Sequence, residues 1–255
     1  MQKKLNNSDE PVVKKAPNDP GFVIETEDLW RIYPLKNAKE DGIAALRGVN
    51  LHVQQGKFVA LKGRSGSGKT TLLNCLAGLD QPNSGSIRVL GHDLIKMSEQ
   101  ELTTWRREQI GLVFQSFGLL PTLSAYENVE LILRIKGDDY AARHKRALEC
   151  LDLVGLIDWR NHRPYEMSGG QQQRVAVARA LANQAQLILA DEPTGELDSK
   201  TTHELLTFFQ KLVRDEKITF LMVSHDPLVD QYADEVIFLK DGQLVINEDL
   251  EKGNK

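Results

Sequence analysis

The chain has 255 residues, of which 41% are apolar and 27% charged, and a formal net charge of −4 at pH 7. This length suits one large domain with a subdomain and a substantial core. The negative charge gives no electrostatic argument for a nucleic-acid partner, so we predict none. No apolar run approaches the eighteen or so residues of a membrane helix, and we expect any membrane role to come through another chain.

The first ninety residues indicate a tail followed by antiparallel strands. Residues 1–20 are polar and contain three prolines, which predicts a flexible tail without a secretory signal. Strands are predicted from Val23, over 46–53 and over 87–90. We place the domain at 21–250 and a short C-terminal tail at 251–255.

A glycine-rich loop follows the apolar segment 58–61 and leads into an apolar helical run. It comprises Gly63, Arg64, Ser65, Gly66, Ser67, Gly68, Lys69, Thr70 and Thr71. Strand, glycine-rich turn and helix form the context in which backbone N–H groups cradle phosphates. Lys69 can then reach the β- and γ-phosphates, and Thr70 can offer a hydroxyl to Mg²⁺. The pattern predicts binding of a nucleoside triphosphate, the alternative being a turn that contains Lys-Thr by chance.

The middle of the chain is mainly helical. A capping box at Ser98 opens a helix through Trp105, and a buried strand is predicted over 110–114, ending at Gln115. A second capping box at Ser124 begins another helical stretch. We therefore predict an inserted α-helical subdomain at about 116–167. Cys75 and Cys150 lie in apolar helical patterns and are predicted to be buried thiols.

The final third alternates helices with apolar strands, which predicts a mostly parallel sheet covered on both faces. The predicted helices lie at 171–182 and near 201–214 and 227–232, and the strands lie at 187–190, 218–223 and 235–239, before a hairpin turn at 241–242.

Two carboxylates, Asp191 and Glu192, end one of these strands. Ligands of α/β sheets bind at the carboxyl ends of strands, so we expect this pair to face the glycine-rich loop. Asp191 would hold Mg²⁺, and Glu192 would polarise the water that attacks the γ-phosphate. The alternative is an ordinary solvated turn.

The segment Ser168, Gly169, Gly170 and Gln171 opens the helix 171–182 with two glycines after its cap. The glycines would let an anion approach the backbone N–H groups closely. The chain thus has two phosphate-competent helix N-termini but one carboxylate pair. We infer a head-to-tail dimer in which each phosphate loop is closed by the other subunit's Ser168 segment.

These motifs resemble, across residues 22–246, those of ATP-binding-cassette (ABC) transporter ATPases. The resemblance implies an α/β P-loop NTPase core with an antiparallel β subdomain and the helical insertion, and Mg²⁺-dependent ATP hydrolysis. It implies that Gln115 senses Mg²⁺ and water, that Asp198 belongs to the D-loop, and that His225 is the switch histidine. Tyr33 lies where the family stacks an aromatic ring on adenine, with Trp30 as its rival. His225 alone would also pass for a capping or core histidine.

The segments 119–129 and 190–195 are similar to the branch that serves lipoprotein release, macrolide export and cell division. The resemblance implies a cytoplasmic subunit, peripheral on the inner face of the membrane, that drives a separate membrane subunit. An importer ATPase for a small solute and a soluble cassette ATPase acting on DNA or ribosomes are the alternatives.

The docking surface for the membrane subunit is predicted around Gln115, Ser116, Phe117, Leu119 and Leu120. Phe117 and Leu120 are expected to be exposed there. In the alternative interpretation they pack inside the helical subdomain.

Overall fold

The computed structural model describes residues 21–34 and 42–245, which contain ten strands in two sheets and six α-helices. In chain order the elements are β1 (Phe22–Tyr33), β2 (Ile43–Gln54), β3 (Phe58–Lys62), α1 (Lys69–Leu76), β4 (Ser84–Val89), β5 (His92–Asp93), α2 (Glu99–Gln109), β6 (Ile110–Val113), α3 (Ala125–Lys136), α4 (Tyr140–Leu153), α5 (Gly169–Ala182), β7 (Leu187–Asp191), α6 (Ser199–Glu216), β8 (Thr219–Val223), β9 (Glu235–Lys240) and β10 (Gln243–Val245). The predicted tails, 1–20 and 251–255, lie outside the described residues.

The larger sheet has the strand order β10-β9-β3-β8-β7-β6, and all its neighbours pair in parallel except β9 and β10. The prediction of a mostly parallel sheet is therefore confirmed. Because β8 alone separates β3 from β7, the loop after β3 and the carboxylates at the end of β7 emerge at the same edge of the sheet.

Side chains of the central strands alternate between two apolar layers. Phe58, Phe220 and Ile188 belong to one buried cluster, together with residues of α3 to α6. Val59 and Leu221 belong to the other, which includes residues of α1 and of the smaller sheet. Burial on both faces explains why these strands are continuous apolar runs in the sequence.

The smaller sheet has the order β2-β1-β4-β5 and is antiparallel throughout, as the sequence predicts. The strand before the glycine-rich loop, β3, belongs to the parallel sheet instead. Leu72 and Leu76 of α1 pack in the same cluster as Ile24 and Leu46 of the smaller sheet. The loop consequently lies at the junction between the parallel core and the antiparallel sheet.

The helices α2 and α3 begin at the capping boxes predicted from sequence. Ser98 Oγ accepts a hydrogen bond from the backbone N–H of Glu101, and Ser124 Oγ accepts one from that of Glu127. The α-helices between Gln115 and Ser168 are α3 and α4, which pack on each other and on α5. The boundaries 116–167 of the helical subdomain stay a prediction.

Two predictions of secondary structure are wrong. Phe114 does not belong to the buried strand, because the chain leaves the sheet after Val113 and leaves Phe114 40% exposed. The segment predicted as a helix near 227–232 is a 3₁₀ turn over Pro227–Gln231, capped by Asp226 Oδ1. Five residues are too short for the cooperative hydrogen bonding of an α-helix.

Candidate active site

A cavity of about 290 Å³ lies against the glycine-rich loop. Its lining is formed by Ala45, Ser65, Gly66, Gly68, Lys69, Thr70, Thr71, Glu192 and His225. Loop residues, the start of α1 and two residues from the carboxyl ends of β7 and β8 thus meet around one space. Ala45 of β2 was not among the residues singled out from sequence, because an alanine carries no chemical signal of its own.

The loop gives this cavity a positively charged surface that can bind an anion. Gly68, the N-cap of α1, has φ 103° and offers no side-chain cap, so the first N–H groups of the helix keep no side-chain acceptor. Lys69 is 7% exposed, and its Nζ donates to the carbonyls of Gly63 and Arg64 at 3.0 Å each. The ammonium group therefore sits inside the curve of the loop, where it can neutralise phosphate charge.

Distant segments hold the loop in this shape. The backbone N–H of Gly242, in the turn between β9 and β10, donates to the carbonyl of Ser67 at 3.0 Å. A Cβ atom on Gly63 would overlap the carbonyl of Leu239, and one on Gly68 would overlap that of Ala45. Glycine is required at both positions because backbone from another strand fills the space of a side chain.

Asp191 ends β7 beside the start of α1. Its carboxylate lies near the Thr70 side chain, which influences the pKa of Asp191. Burial raises the pKa of Asp191 above its ordinary value; the Thr70 side chain opposes this shift, the charge of Glu192 adds to it, and the charge of Lys69 opposes it. Mg²⁺ prefers oxygen ligands, and a bound cation would offset the cost of burying the charged Asp191 carboxylate. The Thr70 hydroxyl and the Asp191 carboxylate therefore fit the predicted cation.

Glu192 lies on the cavity wall in a strained backbone conformation, with φ 45°. Its Oε2 lies 3.1 Å from Nδ1 of His225, whose side chain is 68% exposed, whereas that of Glu192 is 24% exposed. The carboxylate thus has an imidazole partner on one side and the loop cavity on the other. This arrangement can accept a proton from a water molecule held beside a phosphate.

Gln115 lies outside the cavity lining but close to Glu192. A methyl group on Gly195 would lie 3.3 Å from Gln115 Nε2 and 3.6 Å from Glu192 Oε2. The amide and the carboxylate are therefore neighbours across Gly195. Of the three residues predicted to hold Mg²⁺, Thr70 and Asp191 lie near each other at the loop, whereas Gln115 lies beside Gly195, outside the cavity lining.

The Ser168 segment does not line the cavity of its own chain. Ser168 Oγ accepts from the backbone N–H of Gln171, and Gln171 Oε1 accepts from that of Ser168, in a capping box. A Cβ atom on Gly170 would overlap Cγ2 of Thr201 on α6. The sequence suggests that Gly170 allows an anion to approach the backbone. Close packing against Thr201 within the same chain is a second reason for glycine at this position.

Asp198 likewise acts inside its own chain. Its Oδ1 accepts from the backbone N–H groups of Lys200 and Thr201, and its Oδ2 accepts from the Thr201 hydroxyl at 2.6 Å. Hydrogen bonds from the Thr201 hydroxyl and backbone lower the pKa of Asp198. The residue caps α6 and does not line the cavity.

Neither aromatic candidate for adenine stacking lines the phosphate cavity. Tyr33 is 37% exposed and its hydroxyl donates to Asp80 Oδ2 at 2.6 Å. Trp30 donates through Nε1 to Asp28 Oδ1 at 2.8 Å. Sequence motifs did not single out Arg31, whose guanidinium lies 4.5 Å from the centre of the Tyr33 ring.

The predicted docking segment is partly buried. Leu120 is 45% exposed, but Phe117 is half-buried, with its ring tip 3.7 Å from the position a Cβ on Gly169 would take. The expectation that Phe117 is exposed is therefore wrong, because the ring packs on the start of α5. Arg179 donates to the carbonyls of Phe117 and Gly118 and also lines a second cavity of about 280 Å³ between α2, β6, α3 and α5.

Comparisons with known proteins identify the family. The family model described as ABC transporter matches residues 46–195. An uncharacterized ABC transporter ATP-binding protein of Methanocaldococcus jannaschii, MJ1508, is 45% identical over 223 residues, which are 88% of this chain and 98% of the relative. A macrolide export ATP-binding/permease protein, MacB, of Syntrophobacter fumaroxidans is 45% identical over 86% of this chain and 31% of its own length.

A solved structure has the same fold. The dimeric post-hydrolysis state of the ATP-binding cassette MJ0796, bound to ADP and Pi, superposes with a TM-score of 0.79 at 42% sequence identity, over 88% of this chain and 97% of that chain. Among the described residues, every helix is too short or too polar to cross a membrane. On the family match, the sequence identity and the shared fold, this chain belongs to the ABC transporter family as an ATP-binding protein.

Proposed function

We propose that this chain is a Mg²⁺-dependent ATPase that dimerises around two ATP molecules and drives a separate membrane subunit. The observation that carries the proposal is the cavity in which Glu192, paired with His225, faces the loop of Lys69 and Thr70. It combines groups that bind phosphate with a carboxylate able to accept a proton, which is the minimum set for phosphoanhydride hydrolysis.

Each residue has a distinct task in this proposal. Lys69 and the N–H groups at the start of α1 bind the phosphates of ATP. Thr70 and Asp191 hold Mg²⁺ with help from Gln115, and the cation supplies charge neutralisation for the phosphates when bound. Glu192 accepts the proton of the attacking water, and His225 fixes the orientation of the Glu192 carboxylate through their 3.1 Å contact.

The Ser168 segment and Asp198 support a dimer. Both lie outside the cavity of their own chain, and their side chains already have intrachain partners. Ser168 and Asp198 are nevertheless exposed, so this surface can close the site of a second copy. The structure of MJ0796, whose name describes it as dimeric, is consistent with this arrangement. A homodimer, or a pair with another ABC ATPase, completes two sites.

The replacement Glu192→Gln tests the catalytic assignment. It keeps the size of the side chain but removes its basicity, and is expected to lower phosphate release by about 10²–10⁴-fold. ATP binding persists, so the variant accumulates as an ATP-bound dimer in light scattering. Glu204→Gln, an exposed carboxylate on α6, is the matched control and should keep the wild-type rate. Wild-type turnover in Glu192→Gln would refute the assignment.

The membrane subunit is proposed to dock beside the segment 115–120, at the second cavity. This cavity combines Ile132 and Ile135 of α3 with Arg106, Arg107 and Arg179, and its described lining contains no Asp or Glu. A short partner segment with apolar and acidic side chains is complementary to such a surface. The MacB relative, whose name combines ATP-binding and permease parts, is consistent with a membrane partner.

We propose that the chain acts from the cytoplasmic face of the membrane and that its ATP hydrolysis drives export, lipoprotein release or force transmission. The test of the docking surface is Leu120→Asp, since this side chain is exposed and its backbone is fixed by Asn128. The variant is expected to lose co-purification with the membrane subunit while keeping ATP binding. Leu153→Asp, 40% exposed on α4, is the control. If Leu120→Asp still co-purifies with the membrane subunit, the docking site does not include Leu120.

A further inference from the structure

Three side chains from two segments form a closed group beside the phosphate site. Arg31 makes a two-pronged ion pair with Asp80, with NH2 2.6 Å from Oδ1 and Nε 2.9 Å from Oδ2. The Tyr33 hydroxyl donates to the same Oδ2 at 2.6 Å. We call Arg31, Tyr33 and Asp80 the Tyr33 clamp. A bidentate pair and a charge-assisted hydrogen bond are strong, directional contacts, so the ring is held in one orientation.

The clamp covers one part of the Tyr33 ring and leaves another open. The guanidinium carbon of Arg31 lies 4.5 Å from the ring centroid, which is the geometry of a cation–π stack. The side chains of Arg31 and Asp80 are 21% and 18% exposed, whereas Tyr33 keeps 37% of its surface exposed. Within the part of the chain that the structure describes, no other aromatic ring stacks on Tyr33.

The clamp also joins the ring to the phosphate site from two directions. Asp80 follows α1, and its backbone N–H donates to the carbonyl of Asn74 within that helix at 3.3 Å. On the other side, Tyr33 pairs with Ile43 of β2, two residues from Ala45 on the cavity wall. Two strand residues span about 7 Å, so the Tyr33–Ile43 pair lies about 7 Å along β2 from Ala45.

We propose that Arg31 and Asp80 are positioning residues that hold Tyr33 as a preformed platform for the base of the nucleotide. Arg31 occupies one face of the ring and thereby leaves the opposite face for the base. Because the ring orientation is already set, binding does not have to order a free tyrosine side chain. The proposal rests on the proposed ATP site, and it favours Tyr33 over Trp30 as the stacking residue.

The test separates recognition of the base from recognition of the phosphates. ATP and inorganic tripolyphosphate are titrated into the purified chain by calorimetry, for the wild type, Arg31→Ala, Asp80→Asn and Tyr33→Ala. Arg31→Ala and Asp80→Asn are expected to weaken ATP binding by about 3–10-fold, the value of one immobilised side chain. Affinity for tripolyphosphate should change by less than about twofold, because the phosphate loop is untouched. Arg88→Ala, an exposed arginine on β4, is the matched control.

A double variant supplies the second criterion. If Arg31 acts only through Tyr33, Arg31→Ala adds no further loss of ATP affinity in a Tyr33→Ala background. Additive losses, or an equal loss for ATP and tripolyphosphate, would overturn the proposal, as would an unchanged ATP affinity in Arg31→Ala. If Tyr33→Ala binds ATP normally and Trp30→Ala does not, Trp30 is the platform and the proposal is wrong. Wild-type protein that binds neither ligand would instead refute the ATP site itself.

Discussion

The contact between Gly170 and Thr201 makes a quantitative prediction about how α5 and α6 pack. In Gly170→Ala the added methyl would lie inside 3.0 Å of Thr201 Cγ2, where ordinary van der Waals contact begins at 3.4 Å. Relief of the overlap requires either rotation of Thr201 about χ1, which disturbs its hydrogen bond to Asp198, or a shift of the backbone. Overpacking of this kind costs about 1–3 kcal/mol, and the offsetting gain in helix propensity is smaller than the about 0.5–1 kcal/mol of a mid-helix position because Gly170 lies in the first turn of α5.

A double-mutant cycle with Thr201→Ser isolates the overlap. Serine removes the Cγ2 methyl and keeps the hydroxyl that donates to Asp198. The helix-propensity gain occurs in both Gly170→Ala proteins and cancels, so the coupling free energy measures the clash alone. We expect a coupling free energy of about 1–3 kcal/mol, so the net loss of stability caused by Gly170→Ala disappears in the Thr201→Ser background. Urea unfolding followed by circular dichroism measures each corner of the cycle.

Gly169→Ala is the matched control, because its methyl would lie 3.3 Å from Leu197 Cδ2 and outside the neighbourhood of Thr201. Its combination with Thr201→Ser should be additive. If Gly170→Ala and Thr201→Ser were also additive within about 0.5 kcal/mol, Gly170 and Thr201 would not be in contact across α5 and α6.

Two further predictions follow from perturbed pKa values. Burial raises the pKa of Asp191, so its contribution to stability is present below the ordinary aspartate value and is lost as pH rises through the folded pKa. Asp191→Asn should therefore raise the urea midpoint of the nucleotide-free chain at pH 7, with a gain that shrinks toward pH 4; a lower midpoint at pH 7 would contradict the burial cost. Burial likewise raises the pKa of Cys75 to about 12 and of Cys150 to about 11. Both thiols should resist iodoacetamide at pH 7 until the chain unfolds, with a thiolate fraction of about 10⁻⁴ or less; rapid alkylation of native protein would show that one of them is accessible.

The local features of this protein were readable from sequence because their causes lie within a few residues. The capping boxes at Ser98 and Ser124 depend on a side chain and a backbone three residues apart. The apolar runs that form β3, β7 and β8 follow from burial on both faces of a parallel sheet. Strand alternation with helices then determines that the loop after β3 and the end of β7 share one edge.

Other features depend on where the chain goes after many residues, and only the tertiary structure decided them. Asp80 reaches Arg31 and Tyr33 across 49 and 47 positions, and no pattern near Tyr33 indicates which acid will hold it. From the sequence, Gly170 is explained by the approach of an anion; the structure shows that Thr201 also fills the space of a side chain at this position. The sequence places Phe117 in a docking segment after Gln115 and predicts it to be exposed, but its ring packs on Gly169. Sequence determines hydrogen bonds and apolar periodicity along an element, whereas contacts between elements depend on the three-dimensional path that brings distant side chains within a few ångströms.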